Sequence, residues 1–214
     1  SFLLAITSIA YSEELDIAAD SVVIKKEQNI VEAEGSVSVE DKSGNQIFSD
    51  KTIYFRSEKV LESSGNVIIK DIKGNTIETD KITYNLNDNL IETFENTNLF
   101  LINGYNVFTD RISYNFNKRI IESSSDSKIV DKYNNQIFLK NFSYNLQTKI
   151  ISATEKVKVY DVEGNKYFFE NIFIDLENRR IIGDKVRVAI NPKSFGLPEE
   201  ENDPRFVANS ILLT

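Results

Sequence analysis

Acidic side chains recur at a fixed interval along this chain, and carboxylates are the groups here with the most chemistry to offer. Asp20, Asp50, Asp80 and Asp110 lie thirty residues apart. Carboxylate oxygens suit hard cations such as Ca²⁺, so a stacked calcium site is one interpretation. Calcium-binding repeats, however, place several acidic residues within about nine positions. This series is sparser, and we interpret its members as residues that begin strands on a solvated face.

Side chains suited to catalysis are scarce. The chain has no His and no Cys, which removes the commonest general base, the cysteine nucleophile and thiolate zinc sites. Carboxylate pairs such as Glu92 and Glu95 arise by chance among 33 acidic residues, and nothing marks one pair as an acid/base couple. The sequence therefore predicts no enzyme, no cofactor and no metal site.

The net charge of the chain limits which kinds of binding partner we expect. The net charge is −8 at pH 7 with no compensating basic block along the chain. The electrostatic footprint of a nucleic-acid-binding protein is therefore missing, and we expect no nucleic acid. Lys118-Arg119 and Arg179-Arg180 fall in expected turns and are interpreted as solvated loop charges.

The acidic series is one slot of a 30-residue repeat that runs through the chain six times. A repeat of this length is typical of a stacked array whose units cannot bury their apolar faces alone. Three further slots recur in the same register: a Tyr or Ile slot, a Gly or Asn turn slot and an apolar slot. Their members are Ile24, Tyr54, Tyr84, Tyr114, Tyr144 and Ile174; Gly44, Gly74, Gly104, Asn134 and Gly164; and Val31, Leu61, Ile91, Ile121, Ile151 and Ile181.

Apolar and polar residues alternate within each unit. Ile82, Tyr84 and Leu86, for example, share one parity. Period-2 alternation with β-branched and aromatic residues indicates a half-buried strand, and Gly44-Asn45 is typical of a tight turn. We predict an all-β protein with at least two strands per unit.

Short turns make neighbouring strands antiparallel. One apolar face per strand then favours two curved sheets that close around that face, as in a sandwich or an open jelly roll. A β-solenoid, in the form of a parallel β-helix, is the alternative. It usually has shorter rungs of about 20 to 25 residues and stacked Asn or Gly ladders.

The two ends of the chain differ from the repeat. Residues 2–10 form an apolar run too short to span a bilayer, followed by residues typical of a cleavage site. We interpret residues 1–12 as the remnant of a signal peptide, with an ordinary first strand as the alternative. All three prolines follow the last repeat, and proline is excluded from sheet interiors. We therefore predict the repeat domain of six units at 13–190, then a linker and the start of a truncated C-terminal region at 191–214.

The apolar stripe is the candidate functional surface. If the two sheets part at one edge, the interior could take alkyl chains, since each buried CH₂ contributes about 0.8 kcal/mol. A closed core is the alternative, and the sequence leaves both open. The candidate lipid-binding residues share the inward parity of their strands: Val37, Val39, Val67, Ile69, Ile82, Tyr84, Leu86, Ile112, Tyr114, Phe116, Phe142, Tyr144, Leu146, Val157 and Val159.

One pair of sequence segments resembles a known protein family. Ala19-Asp20-Ser21-Val22-Val23-Ile24, followed by the residues Val31-Glu32-Ala33-Glu34-Gly35-Ser36-Val37-Ser38-Val39, resembles the OstA-like family. These proteins include the periplasmic β-jelly-roll domains of the lipopolysaccharide transport bridge. The resemblance covers about residues 15–190, although Glu95, Ser125 and Glu155 replace glycine in later units. The tail at 202–206 is similar to the junction that precedes the membrane barrel in outer-membrane lipopolysaccharide-assembly proteins.

The resemblance implies a V-shaped open jelly roll in the periplasm whose interior passes lipid A acyl chains of lipopolysaccharide toward the outer membrane. It also implies docking to a neighbouring bridge jelly-roll protein by edge-strand addition. For an assembly protein it further implies attachment to the outer membrane, through its own barrel and that barrel's lipoprotein partner. The alternative from the residues alone is a structural, self-assembling exported scaffold or adhesin stalk with a closed core.

Overall fold

The computed structural model describes residues 8–11, 15–191, 193 and 205–213. Over these ranges the chain is all β without an α-helix, and its strands pair antiparallel. None of the described residues forms a helix long and apolar enough to cross a membrane. The prediction of an antiparallel all-β protein is confirmed, and the antiparallel pairing excludes a parallel β-helix for this part of the chain.

The strands group into two compact units, and both consist of the 30-residue repeat. The first unit comprises residues 1–102 and 110–117, and the second comprises residues 103–109 and 118–214. The strands of the first unit are β1 (Ser8–Tyr11), β2 (Leu15–Ala19), β3 (Ser21–Lys25), β4 (Ile30–Asp41), β5 (Gln46–Phe55), β6 (Val60–Lys70), β7 (Thr76–Asn85), β8 (Leu90–Phe94), β9 (Thr97–Phe100) and β11 (Ser113–Asn115). Those of the second unit are β10 (Asn106–Thr109), β12 (Ile120–Ser123), β13 (Ser127–Val130), β14 (Gln136–Leu139), β15 (Phe142–Asn145), β16 (Ile150–Tyr160), β17 (Lys166–Asp175), β18 (Arg180–Ala189) and β19 (Arg205–Leu213).

Two strands lie in segments for which the sequence predicts other roles. β1 falls within the predicted leader remnant and pairs with β2, and β19 falls within the predicted C-terminal region and pairs with β18. The rest of the leader remnant, most of the linker and all three prolines lie outside the described residues. The leader, the linker and the following membrane barrel stay predictions.

The long strands bend at their middles, where β5 and β7 carry the acidic slot of the repeat and their partners β4 and β6 carry a β-bulge. In β5 the alternation of buried and exposed residues breaks at Asp50 and Lys51, which both point outward. Opposite them in β4, Gly35 and Ser36 together face the single residue Asp50, which makes a β-bulge. Both bulge residues have positive φ, 77° and 47°, a conformation that glycine adopts with little strain. The same bulge recurs at residues 65–66 and 155–156.

The bend gives the acidic series its structural role. Oδ2 of Asp50 accepts a hydrogen bond from Nδ2 of Asn66 at 2.9 Å, and Asp80 accepts one from Asn96 at 2.6 Å. The two carboxylates are exposed, in agreement with the solvated face expected for them, but they lie in mid-strand. The prediction that the series begins strands is therefore wrong for Asp50 and Asp80, because a bend also turns a polar side chain outward. Asp20 directly precedes β3, and Asp110 lies between β10 and β11. Within the described ranges no cluster of three or more His, Cys, Asp or Glu is placed to hold a metal ion.

The bend divides the strands of each unit into two layers. Layer A contains the segments between the bend and the turns of the 56–59 type, and layer B contains those between the bend and the turns of the 71–75 type. The inward side chains of both layers are buried; Leu61 and Ile91 represent layer A, and Val39 and Leu99 represent layer B. The core of each unit therefore lies between its two layers.

Among the described residues, four layer B turns (41–45, 71–75, 131–135 and 161–165) are built from one Asp and one Asn, and hydrogen bonds join turns to each other. Oδ2 of Asp71 accepts a hydrogen bond from Nδ2 of Asn75 at 2.6 Å. Oδ1 of Asn75 in turn accepts one from the backbone N–H of Ile102, in the next turn of the array, at 3.1 Å. The second unit repeats the link from Asn165 to the backbone N–H of Asn191 at 2.9 Å. These bonds hold successive turns in register.

Candidate functional site

The candidate lipid-binding residues lie on the inward sides of the layers. Twelve of the fifteen are buried, with exposed fractions between 0 and 7 %. Leu86, Phe116 and Leu146 are half-buried and lie beside layer A turns. The structure therefore places the set on one continuous face in each unit, and lipid binding by that face stays a prediction.

An aromatic cluster forms at the turn end of layer A in the first unit. Tyr84 of β7 and Tyr114 of β11 both lie opposite Ile91 of β8, so the three side chains occupy neighbouring strands. The Phe116 ring centroid lies 4.3 Å from that of Tyr114 and 5.9 Å from that of Tyr84. Layer B of the same unit is aliphatic: Val39 lies opposite Ile47, and Ile69 lies opposite Ile77.

The second unit repeats this arrangement with fewer aromatic residues. Tyr144 lies opposite Ile121 on one side and Ile151 on the other. In layer B, Val157 lies opposite Phe169, and Val159 opposite Ile137. The interior next to the turns is thus mostly apolar in both units. Among the described residues, the tyrosines and the buried turn residues Asn45, Asn75 and Asn165 bring polar atoms to it.

The tyrosine hydroxyls connect the two layers where their turn ends meet. We call this line the mouth; it is defined by Tyr84 and Asp41 in the first unit and by Tyr144 and Asn103 in the second. The Tyr84 hydroxyl donates a hydrogen bond to Oδ2 of Asp41 at 3.4 Å. Burial raises the pKa of the Tyr144 phenol, and a side-chain hydrogen bond with Asn103 partly opposes that rise. Each unit therefore closes its mouth with a phenol from layer A against a turn of layer B.

A further tyrosine of layer B is protonated well beyond neutral pH. Burial, followed by the nearby Asp161 carboxylate, raises the pKa of Tyr167 to about 12. Its hydroxyl donates a hydrogen bond to Oδ2 of Asp161 at 3.1 Å. The pair stabilises the layer B turn that begins at Asp161, since the phenol stays a donor to the carboxylate.

Sequence reasoning missed a chain of buried hydroxyls on the inner side of the bend, which we call the polar seam. In the first unit Oγ1 of Thr52 lies 2.7 Å from Oγ of Ser63 and 2.9 Å from Oγ of Ser49. Oγ1 of Thr93 lies 2.7 Å from Oγ1 of Thr97. The two threonines of this second pair are fully buried, so the hydroxyls satisfy one another in place of water.

The hydroxyls of the polar seam also form hydrogen bonds with backbone groups that the bends remove from the regular hydrogen-bond ladder of the sheet. Oγ1 of Thr93 accepts a hydrogen bond from the backbone N–H of Ile112 at 2.9 Å, and Thr79 donates one to the carbonyl of Glu95 at 2.9 Å. In the second unit Ser127 donates to Thr109 at 2.9 Å. A signal was present in the sequence, because Ser49, Thr79 and Thr109 share one slot of the repeat at an inward parity, and Ser63, Thr93 and Ser123 share another.

Comparison with known proteins gives one family. The model of the OstA-like protein family matches residues 11–95, which lie in the first unit. The family resemblance expected from the sequence is therefore confirmed over this segment. No curated protein matches the chain.

Solved structures that match the chain include the crystal structure of LptH, described as the LptA homologous periplasmic component of the conserved lipopolysaccharide transport device from Pseudomonas aeruginosa. The two sequences are 11% identical, and the match covers 91% of this chain and 94% of LptH with a TM-score of 0.24. A TM-score of 0.24 is too low to support an inference about function.

Proposed function

We propose that this chain, which is OstA-like over residues 11–95, is a non-enzymatic lipid-conduit domain of the periplasm. Its interior holds the acyl chains of lipopolysaccharide and passes them toward the outer membrane for assembly. The observation that carries the proposal is the continuous apolar face buried between the two layers of each unit. The family match supports lipopolysaccharide as the lipid.

The interior has the apolar chemistry that suits acyl chains. A chain of a dozen carbons that replaces water by apolar contacts gains on the order of 10 kcal/mol before losses. The acyl chains lie between the mouth and the polar seam, because the seam presents hydroxyls that alkyl groups cannot satisfy.

Entry takes place at the mouth. The interior residues are buried in this structure, so the two layers must part before an acyl chain can enter. The hydrogen bond between Tyr84 and Asp41 is long at 3.4 Å and is therefore weak. Leu86, Phe116 and Leu146 are the half-buried candidates beside the turns, and they make the first contact with an entering chain.

The finer identity we propose is the N-terminal part of an LptD-like assembly protein, attached to the outer membrane through its barrel and that barrel's lipoprotein partner. A neighbouring bridge jelly-roll protein docks by strand addition. Strand β3 supports this docking: it pairs with β4 along one edge, and no second partner strand is found for it among the described residues. Val23 and Ile24 on it are each 49 % exposed, which suits an edge that a further strand covers.

The tight burial of the interior favours a second function. A core with side chains exposed by only a few per cent is also what a self-assembling exported scaffold or an adhesin stalk requires. Such a scaffold polymerises through its strand edges whether or not lipid is present, whereas a conduit takes up lipid without polymerising.

Two matched pairs of charge variants test the conduit. Tyr114→Glu and Leu86→Asp place a carboxylate on the inward face, whereas Ser113→Glu and Thr83→Asp place one on the outward face of the same region. We expect the inward variants to reduce uptake of a fluorescent acyl probe at least tenfold relative to the outward ones, because a carboxylate in an apolar site is strongly disfavoured. Leu86 is half-buried, so Leu86→Asp remains informative if Tyr114→Glu fails to fold by circular dichroism. Equal uptake by inward and outward variants would contradict the proposal.

A further inference from the structure

The outward face of layer B in the second unit carries a row of alternating aromatic and basic side chains. Strand pairing sets each member opposite the next: Phe108 faces Lys128, Lys128 faces Phe138, and Phe138 faces Lys158. Lys158 faces Phe168, and Phe168 faces Arg187. With strands about 4.8 Å apart, the cations recur about every 10 Å along a line of about 24 Å. We call these six residues the basic row.

The basic row and the row beside it toward the turns contain no acid; on the other side, toward the bend, the nearest acids are Asp110, Asp126 and Glu170, each two residues from a member of the row. The neighbouring row toward the turns runs from Asn106 through Tyr160 to Arg205 and adds the cations Lys166 and Arg205. Neither row includes a carboxylate. None of their five cations forms an ion pair with another described residue. This concentration of positive charge occurs in a chain whose net charge is −8.

The fold itself does not require this basic face. The equivalent two rows of layer B in the first unit contain the acids Asp16, Glu40 and Glu78 and a single cation, Lys70. The same face of the same repeat is therefore acidic in one unit and basic in the other. Since packing demands are alike in both, the difference points to a ligand.

The geometry of the row favours a linear polyanion. Nζ of Lys128 lies 5.7 Å from the ring centroid of Phe138, and Cζ of Arg187 lies 4.7 Å from that of Phe168. These two cations thus lie over rings that are themselves half-buried. Phe108 at the end of the row is 38 % exposed, but Phe138 and Phe168 are half-buried between the cations. This face therefore presents a line of charges with ring surface between them, whereas a bilayer would be contacted by protruding aromatic side chains that insert between lipids. Ring surface of this kind packs against the apolar faces of sugars.

We infer that the basic row binds the anionic saccharide part of lipopolysaccharide along the outside of layer B. This inference rests on the proposed function, in which the acyl chains of the same molecule occupy the interior. Lys166 and Arg205 lie between the basic row and the layer B turns, on the path that a saccharide takes from the turn ends to the row. The assignment also explains how an acidic protein accommodates an anionic glycolipid: the positive charge is local to one face.

Calorimetric titration with the deacylated, water-soluble saccharide prepared from lipopolysaccharide tests the inference. The triple variant K128Q/K158Q/R187Q removes the three cations of the row. The control K26Q/K42Q/K73Q removes three exposed cations of the first unit with the same change in net charge. We expect the row variant to bind about tenfold more weakly than the wild type, and the control to bind as the wild type does. Binding should also weaken near 1 M salt, where the Debye length is about 3 Å.

Four outcomes would overturn the inference: no binding by the wild type, equal weakening in both triple variants, polygalacturonate bound as tightly as the saccharide, or preferential co-sedimentation with phosphatidylglycerol vesicles. Uptake of the fluorescent acyl probe, measured on the same three proteins, tests the proposed function separately. Absence of acyl uptake would contradict the proposed lipid-conduit function. Saccharide binding that depends on the basic row would still support a saccharide site on layer B.

Discussion

The Tyr84 hydroxyl lies 3.4 Å from Oδ2 of Asp41, and this hydrogen bond joins layer A to layer B at the mouth of the first unit. Asp41 does not depend on it, because its carboxylate also accepts hydrogen bonds from the Asn45 side chain and the Ser43 backbone, both at 2.8 Å. The turn can therefore keep its shape when the phenol leaves. This hydrogen bond between the layers is thus longer and weaker than those within the turn, which is the property a mouth that opens requires.

Removal of the phenol hydroxyl should make the mouth easier to open. We expect Tyr84→Phe to lower the free energy of unfolding by less than about 1 kcal/mol and to speed uptake of a fluorescent acyl probe in stopped-flow measurements. Thr83→Ala, an outward change one residue away, should leave the uptake rate unaltered. Slower or unchanged uptake by Tyr84→Phe would argue against this contact as the gate.

The polar seam should tolerate the loss of a hydroxyl poorly. Thr93→Val keeps the shape of the side chain but leaves the backbone N–H of Ile112 without the acceptor that lies 2.9 Å away. We expect a loss of about 1–3 kcal/mol in the free energy of unfolding, because that donor is buried. Thr83→Val on the outward face is the control and should change stability by less than about 0.5 kcal/mol. Urea denaturation of both variants measures the difference, and equal stability would contradict the role of the seam.

The bulge predicts opposite effects for two substitutions at the same slot. Gly65 has φ of +77°, and a Cβ there would lie 2.5 Å from Oδ2 of Asp50. Gly65→Ala should therefore lower the free energy of unfolding by about 1–3 kcal/mol. Glu95, in the same slot of the next unit, already has φ of 65°, so Glu95→Gly relieves strain and should stabilise by up to about 1 kcal/mol. Thermal unfolding of the two variants is the measurement, and shifts in the same direction would refute the assignment.

Tyr167 makes stability depend on pH in the alkaline range. Its pKa is raised from the ordinary value of 10.0 to about 12, so the folded state holds the phenolic proton more tightly than the unfolded state does. The stability that it contributes is complete below pH 10 and is lost as the pH rises to about 12. Denaturation curves across this range should show a steeper fall for the wild type than for Tyr167→Phe. Parallel pH profiles would contradict the shift.

Strands and their inward residues could be predicted from sequence because alternation is a direct consequence of strand geometry. The parity of Ile82 and Tyr84 agrees with their burial at 0 and 4 %. The bend could not be assigned from its acidic slot, since a strand start and a mid-strand bend both turn a carboxylate to solvent. The distinguishing sign was the pair of successive outward residues Asp50 and Lys51, which interrupts the alternation.

Neither the polar seam nor the basic row could be predicted from the sequence, and the reasons differ. Threonine and serine fit either face of a strand, so Thr93 and Thr97 carry no mark of burial by themselves. Lys128, Lys158 and Arg187 are spread over sixty residues and form no basic block in the sequence. Strand pairing in the repeat brings them into one line, and only the register of the sheet reveals it.

Site-specific photo-crosslinking to lipopolysaccharide is the most direct test of the conduit. A photoreactive residue is placed in turn at the inward positions Tyr84, Tyr114 and Tyr144, and at the outward positions Thr83 and Ser113 as controls. We predict adducts at the three inward positions alone, because acyl chains reach only the face between the layers. A folded protein that gives no adduct at any inward position would contradict the conduit and favour the closed, self-assembling scaffold.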